Sequence, residues 1–375
     1  MEACCICQSN LGKPVYESFA PFSITSLCQV LEGRTRVWHC EECGHTQTAP
    51  LPTHEKFYAE DYHILTASEE EDQLYEVRGS EKIFRTEHQI ATLLEKVNLP
   101  VNARVLDYGC GKSSTLKGLC GRRDDVVPFV FDVGEQYRRF WNDFVPTANQ
   151  AISEVPVRWA GQMDAVLSFF ALEHVTDPRA FVCAVHGLLK EGGAFYFLVP
   201  NIFANTADLV VADHVNHFSA QSLQRLLVDA GFIVRQINGE AHNSAWVVVA
   251  EKGEGVGVET ETKSISQSVQ EMAAYWNKFG DRVSAFEKAG SGAAAIYGSG
   301  FYGTFIHASL EQPEAVVCFL DQNPHRQQQV LLGKPIVSPE ALPETVQRLY
   351  VGLNPRVAQT ELAAEPLPEL EMFLP

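Results

Sequence analysis

The stretch "VLDYGCGKSSTLKGL", residues 105–119, decides the fold. An apolar strand delivers Asp107, and the chain then turns through Gly109 and Gly111. Glycine tolerates positive φ and lets the backbone come close to a ligand. A dinucleotide loop wants a third glycine, yet position 114 holds Ser114. That third glycine serves close helix packing under a pyrophosphate. A loop without it suits a cofactor that brings no phosphate. The next strand, "VVPFVFDV", carries Asp132 at its end, about twenty residues past the turn, where an acid reaches ribose hydroxyls.

Outward from this stretch, strands and helices alternate. "EKIFRTEHQIATLLEKV" has apolar residues at helical spacing before the turn. After it come the strand "DAVLSFFAL", the helix "DPRAFVCAVHGLLKEGG", the strand "AFYFLVPN", the helix "SAQSLQRLLVDAGF" and a closing strand "AWVVVAEK". Such alternation predicts a parallel, doubly wound sheet. Residues 251–262, "EKGEGVGVETET", read as a linker or exposed loop. A helix, "SVQEMAAYWNKFGDRVSAFEKAG", follows, and a second alternating module begins at "AAAIYGSGFYG". That module holds the complete pattern Gly298-x-Gly300-x-x-Gly303 and a downstream acid, Asp321, which formally fits the NAD fingerprint. Its length allows one βαβαβ half, whereas a dinucleotide site uses two.

Ten cysteines are present, and six of them (Cys4, Cys5, Cys7, Cys28, Cys40 and Cys43) fall in the first 43 residues. Cys4-x-x-Cys7 and Cys40-x-x-Cys43 are two knuckles that supply the four thiolates of a closed, structural zinc site, with Cys5 and His39 as alternative ligands. The start "MEACCICQSN" lacks a basic, apolar secretory signal, so a reducing, cytoplasmic setting is expected. No run of about 18 apolar residues suggests a membrane span. The formal charge of −18 argues against nucleic acid as a partner, since phosphate-backbone binding needs clustered Lys and Arg. The acidic run Glu69 to Asp72 reads as a solvated connector.

Together "VLDYGCGKS", "FVFD" and "DAVLSFFALEHVTDPRAFVCAVHGLLKEGGAFYFLVPN" resemble a class I S-adenosylmethionine-dependent methyltransferase over about residues 81–250. The resemblance implies that Asp107, Gly109 and Gly111 line the methionine end of the cofactor. It also implies that Asp132 holds the ribose and that Phe169 and Phe170 sit nearby. Lys112 and Ser114 depart from the commoner glycine-rich loop.

The order of parts resembles the three-domain sugar C-methyltransferases of deoxysugar biosynthesis. It is carried by "CEECGHTQ", "ADHVNHFSAQSLQRLL", "AHNSAWVVVAEK" and "YGSGFYG…DQNPHRQQQVLLGKPIVSPEAL". That resemblance implies a tail that helps form a pocket for a nucleotide-linked sugar, so Gly298, Gly300 and Gly303 go to architecture or substrate contact. It implies His214 as general base with Asp213 as its orienting acid, while Val211 stands where the family has tyrosine. His174 falls near the donor, and His242 and Asn243 match a turn near the substrate. His217 stands ready to assist, and Tyr62 and His63 align with an aromatic that reaches the site.

The expectation is therefore an α/β chain in three parts. A zinc-binding head and connector occupy residues 1–78, a class I methyltransferase sheet 79–252, and a smaller Rossmann-like domain 253–375. The expected reaction is S-adenosylmethionine-dependent methylation of a carbon beside the keto group of a nucleotide-linked deoxysugar, through a His-assisted enolate. The alternatives are O- or N-methylation of another small metabolite, and an NAD-binding or zinc-dependent interaction protein.

Overall fold

A computed structural model describes residues 2–18, 20–58, 62, 68–79, 81–255, 262–363 and 367–375. Half of the predicted linker, residues 256–261, and His63 lie outside them. The chain divides into two compact units. One comprises Met1–Lys13, Trp38–Ala204 and Val215–Ser266; the other comprises Pro14–Val37, Asn205–His214 and Gln267–Pro375.

The first unit is built on α1 (Arg85–Lys96), β1 (Arg104–Tyr108), α2 (Ser114–Arg122), β2 (Val127–Asp132), β3 (Gln150–Ile152) and β4 (Met163–Phe169). It continues through α3 (Pro178–Leu188), β5 (Leu189–Pro200), α4 (Ala220–Asp229), β6 (Phe232–Asn238) and β7 (Ala245–Lys252). The sheet has seven strands in the order β3-β2-β1-β4-β5-β7-β6. The first five are parallel, and β7 runs antiparallel to both its neighbours. The sheet is thus mixed, because β6 and β7 are joined as a hairpin instead of by a crossover helix. The segment "FIVRQIN", not read as a strand from sequence, is the outermost strand and mostly half-buried.

Alternation along each strand fills both faces, as a two-period strand requires. Val105, Val130, Ala165, Leu167, Tyr196 and Leu198 pack in one core with Leu93 of α1 and Leu116 and Leu119 of α2. Leu106, Phe129, Val166, Phe195 and Phe197 pack in the other with Val182 and Val185 of α3 and Leu223 and Leu227 of α4. Cys4, Ile6, Cys40 and Cys43 belong to this second core. Two caps fix the helices there. The Asp177 side chain accepts from Ala180 N–H before Pro178 opens α3, and Ser219 and Ser222 form a reciprocal capping box on α4.

In the second unit, α5 (Lys263–Ala289) presents Val269, Met272, Ala273, Trp276, Phe279 and Val283 to the interior at helical spacing from Gln267 onward. After it come β8 (Ala293–Tyr297), α6 (Phe301–Ser309), β9 (Val316–Leu320), β10 (Val330–Leu331), β11 (Lys334–Val337), β12 (Val346–Val351), α7 (Ala358–Ala363) and β13 (Glu371–Phe373). The sheet order is β10-β11-β9-β8-β12-β13, parallel except for the β10–β11 hairpin.

The complete glycine pattern lies between β8 and α6. Gly298 has φ +99°, and a Cβ there would meet Gly352 O at 2.4 Å. A Cβ on Gly303 would stand 2.0 Å from Gly298 O. These two glycines let helix, turn and strand touch backbone to backbone. Nothing lies within 4 Å of a Cβ built on Gly300. Accordingly, Gly303→Ala lowers the stability of this unit by about 1–3 kcal/mol through overpacking. Gly300→Ala leaves the melting midpoint unchanged within error, and a pair of thermal melts checks both.

Candidate active site

The turn after β1 is tied to the end of β2. Gly109 and Cys110 donate their N–H groups to Phe131 O at 2.9 and 3.1 Å, and Gly109 and Gly111 have φ of +72° and +48°. A Cβ on Gly109 would stand 2.8 Å from Ala171 Cβ, so the loop after β4 closes on the turn because no side chain intervenes. The Asp132 carboxylate accepts from Gly111 N–H at 2.7 Å and Gly134 N–H at 2.9 Å. Burial raises its pKa. Ser113, itself left-handed with φ +57°, donates its hydroxyl to Asp107 Oδ2 at 2.7 Å. Asp107 Oδ1 is buried without a hydrogen-bond partner among the described residues, and burial pushes this carboxyl up to about 7.

These residues open onto a cleft of about 810 Å³, a size that suits small-molecule ligands. Asp107, Gly109, Gly111, Asp132, Phe169 and Phe170 all line it, as do Tyr62 and His174. Phe170 holds φ +55° and donates its N–H to Leu198 O, an uncommon backbone state at a pocket wall. Tyr58, which the sequence reading passed over, shares a 2.6 Å hydrogen bond with His174 Nδ1. Its position in the aromatic run four residues before Tyr62 was the available signal. Arg85, also passed over, lines the cleft with its guanidinium over the Phe170 ring.

Lys112 acquires a role here. Its Nζ donates to the carbonyls of Ser68, Glu69 and Glu71 at 3.0, 2.8 and 2.7 Å. Lys117 pairs with Glu69 at 2.8 Å. The acidic run is therefore fastened to the glycine turn and its helix as well as solvated.

Other predicted residues lie elsewhere. His242 is buried against Phe170 and His88, bonds Asn243 O through Nδ1 at 2.9 Å, and is pushed down to about 4 by burial. Asn243 donates its backbone N–H to Tyr75 Oη at 3.0 Å. His217, expected near the substrate, is fully buried where residues 216–217 pair with residues 46–47, and its Nε2 meets Thr48 Oγ1 at 2.8 Å. His214, Asp213 and Gly300 belong to the second unit. There the acid on His214 Nδ1 is Asp208, in a short hydrogen bond. Asp213 instead accepts from the N–H and hydroxyl of Ser26 at 2.6 and 2.7 Å. The family resemblance implied Asp213; the helical turn from Thr206 to Val210 brings Asp208 round in its place.

The cysteine knuckles converge. Sγ of Cys4 and Cys43 are 3.6 Å apart, those of Cys7 and Cys40 3.5 Å, and all four lie within 4.8 Å of one another. Cys5 turns away, donating to Asn216 Oδ1 at 3.2 Å, and His39 bonds Thr46 and Ser266 through its two ring nitrogens. Asn216 also receives His45 Nε2 at 3.2 Å and donates to Leu172 O and Val175 O at 3.2 and 2.7 Å, on the loop that carries His174.

The raised pKa of Asp107 has a sign. The folded carboxyl holds its proton up to about 7, whereas the unfolded value is 3.8. Folded protein therefore binds more protons in between, and stability falls as pH rises through that window. In ligand-free protein, Asp107→Asn flattens this part of the profile, as melts between pH 4 and 8 will show.

Residues 81–237 match a family model described as a methyltransferase domain. The chain is similar to ubiquinone biosynthesis O-methyltransferases. It is 29% identical over 153 residues to that of Xanthomonas axonopodis pv. citri, covering 40% of this chain and 62% of the relative. It is 31% identical over 131 residues to that of Acinetobacter baylyi, covering 32% and 54%. The chain thus spans somewhat over half the length of these curated relatives. Among solved structures it is similar to an S-adenosylmethionine dependent methyltransferase from Mesorhizobium loti. That similarity has 15% identity and a TM-score of 0.36, and covers 44% of this chain and 98% of the other.

Proposed function

We propose that the protein is an S-adenosylmethionine-dependent methyltransferase whose acceptor is a carbon beside the keto group of a nucleotide-linked deoxysugar. The observation that carries the donor half is the turn after β1. Asp107 Oδ1 is a buried acceptor without a partner among the described residues, suited to an ammonium group. Gly109 and Gly111 leave the backbone bare, and Asp132 ends β2 where ribose hydroxyls are held. When bound, S-adenosylmethionine supplies a methyl group on a sulfonium. The aromatic walls of the cleft exclude water from the reacting groups and orient the acceptor.

The carbon-acceptor half rests on the order of parts and on His214. An acid on Nδ1, here Asp208, fixes the tautomer with the lone pair on Nε2, the form a general base needs. A second reading, methyl transfer to oxygen, is favoured by a different observation. Tyr58 holds His174 at Nδ1 inside the cleft, and the relatives named above are O-methyltransferases. Val211 offers no hydroxyl beside His214.

Four thiolates at these separations suit tetrahedral zinc. Zn–S bonds of about 2.3 Å place the sulfurs roughly 3.8 Å apart. Cys4, Cys7, Cys40 and Cys43 would hold the ion as a closed, structural site with no part in the reaction.

Calorimetry tests the donor half. S-adenosylhomocysteine binds wild type, and Asp132→Asn weakens it about tenfold or more, in line with losing a charged hydrogen-bond acceptor. Methylation with a 13C-labelled methyl group then separates the acceptors. A new C–CH3 signal abolished by His214→Asn supports carbon, and an O–CH3 signal abolished by His174→Asn overturns it. For the head, elemental analysis is expected to find one zinc per chain, and Cys40→Ser to lower both zinc content and the melting midpoint.

A further inference from the structure

Asn216 is 2% exposed, and its side-chain amide has both lone pairs and both N–H hydrogens engaged. Oδ1 accepts from Cys5 Sγ and His45 Nε2, each at 3.2 Å. Nδ2 donates to Leu172 O at 3.2 Å and Val175 O at 2.7 Å. Two carbonyls can only accept, so the amide cannot turn over without setting Oδ1 against both of them. Its backbone is tied too, since Asn216 and His217 pair with Gln47 and Thr46.

Each end of this amide leads to one feature. At Oδ1, Cys5 stands between Cys4 and Cys7, with its N–H on Gln47 Oε1 at 3.0 Å. His45 stands two residues past Cys43, and its carbonyl accepts Cys40 N–H at 2.7 Å. The two donors to Oδ1 therefore belong to the two knuckles, one each. At Nδ2, Leu172 O and Val175 O bracket Glu173 and His174. These lie on a single helical turn, Leu172–His174, too short to hold its shape unaided. His174 lines the cleft and shares its hydrogen bond with Tyr58, and Ala171, one residue before the turn, closes on Gly109. One side chain thus fastens the His174 turn to both cysteine knuckles.

We propose that Asn216 is a positioning residue that ties the stance of His174 in the cleft to the metal state of the cysteine head. The ion takes no chemical step. Zinc at the four thiolates holds the knuckles at one spacing, Cys5 and His45 then set Oδ1, and Nδ2 sets the turn. The bearing of this link on methyl transfer rests on the methyltransferase reading; the link itself is a property of the head and the turn.

Full-length protein carrying 13Cε1-labelled histidine tests it, loaded in turn with zinc and with cadmium, a larger ion that widens the thiolate tetrahedron. His174→Asn identifies the His174 signal. In wild type that signal is expected to move by more than its linewidth when cadmium replaces zinc. In Asn216→Ala it is expected to stay, with one ion still bound per chain. Asn216→Asp, which keeps an acceptor and loses both donors, should behave like the alanine variant and serves in its place should that variant not fold. A merely structural Asn216 would lower the melting midpoint of both metal forms and leave the shift intact, so either variant keeping the wild-type shift overturns the proposal. A wild type whose His174 signal is the same with either ion also overturns it, and needs no variant to fold. So does a chain that takes up neither ion. Titration of the same samples with S-adenosylhomocysteine decides the methyltransferase reading separately: failure to bind removes that reading, and the histidine shift still decides the link.

Discussion

A Cβ on Gly109 would stand 2.8 Å from that of Ala171, and on this clearance depends the meeting of the β1 turn with the loop after β4. Everything at the cleft follows from that approach. The turn points Gly111 N–H at Asp132, which ties β1 to β2. The loop after β4 brings Phe170 and His174 to the same opening. A sheet whose strands alternate between two cores gives this turn a rigid base, since both faces of β1 are filled.

The two glycine patterns invite comparison. The complete one spends two of its three glycines on contact between backbones, at Gly298 and Gly303. Its acid, Asp321, is already bonded to the N–H and hydroxyl of Ser299, and Arg326 lies on Ser299 O at 2.7 Å. Asp132 behind the incomplete pattern is held by backbone N–H groups in a cleft wall. A motif's spacing describes how closely chain segments can approach; what fills the approach is set by neighbours that the spacing does not name.

Much of the fold was legible because strand and helix periods leave separate marks in the sequence. β2, β4 and β7, and β5 from Ala194 on, are near-continuous apolar runs, and α5 repeats its apolar residues at helical spacing. β6 escaped because a half-buried edge strand mixes Arg235, Gln236 and Asn238 into its apolar residues. The cleft was legible where chemistry is concentrated in one short motif, as at Asp107 to Gly111. It was not legible where partners are distant in sequence. Tyr58 and His174 are 116 residues apart, and Lys112 reaches back 44 residues to Ser68. The acid on His214 differs from Asp213, which the family resemblance implied, because the helical turn from Thr206 to Val210 supplies Asp208.

Asn216 draws one consequence from the way the head is attached. Its amide accepts from Cys5 and His45 on the cysteine side and donates to Leu172 O and Val175 O on the side of the loop after β4. All of these groups lie within one unit, and Cys4, Ile6, Cys40 and Cys43 share a core with Leu172 and Phe218. The cysteine head is therefore not a detachable module. Trimming the gene to the sheet and its helices, or grafting this sheet beneath a different head, would strip partners from a buried amide and open the core that Cys4, Ile6, Cys40 and Cys43 share with the sheet. The boundary drawn by motif and the boundary drawn by packing run through different places, and an engineer who cuts this chain must follow the second.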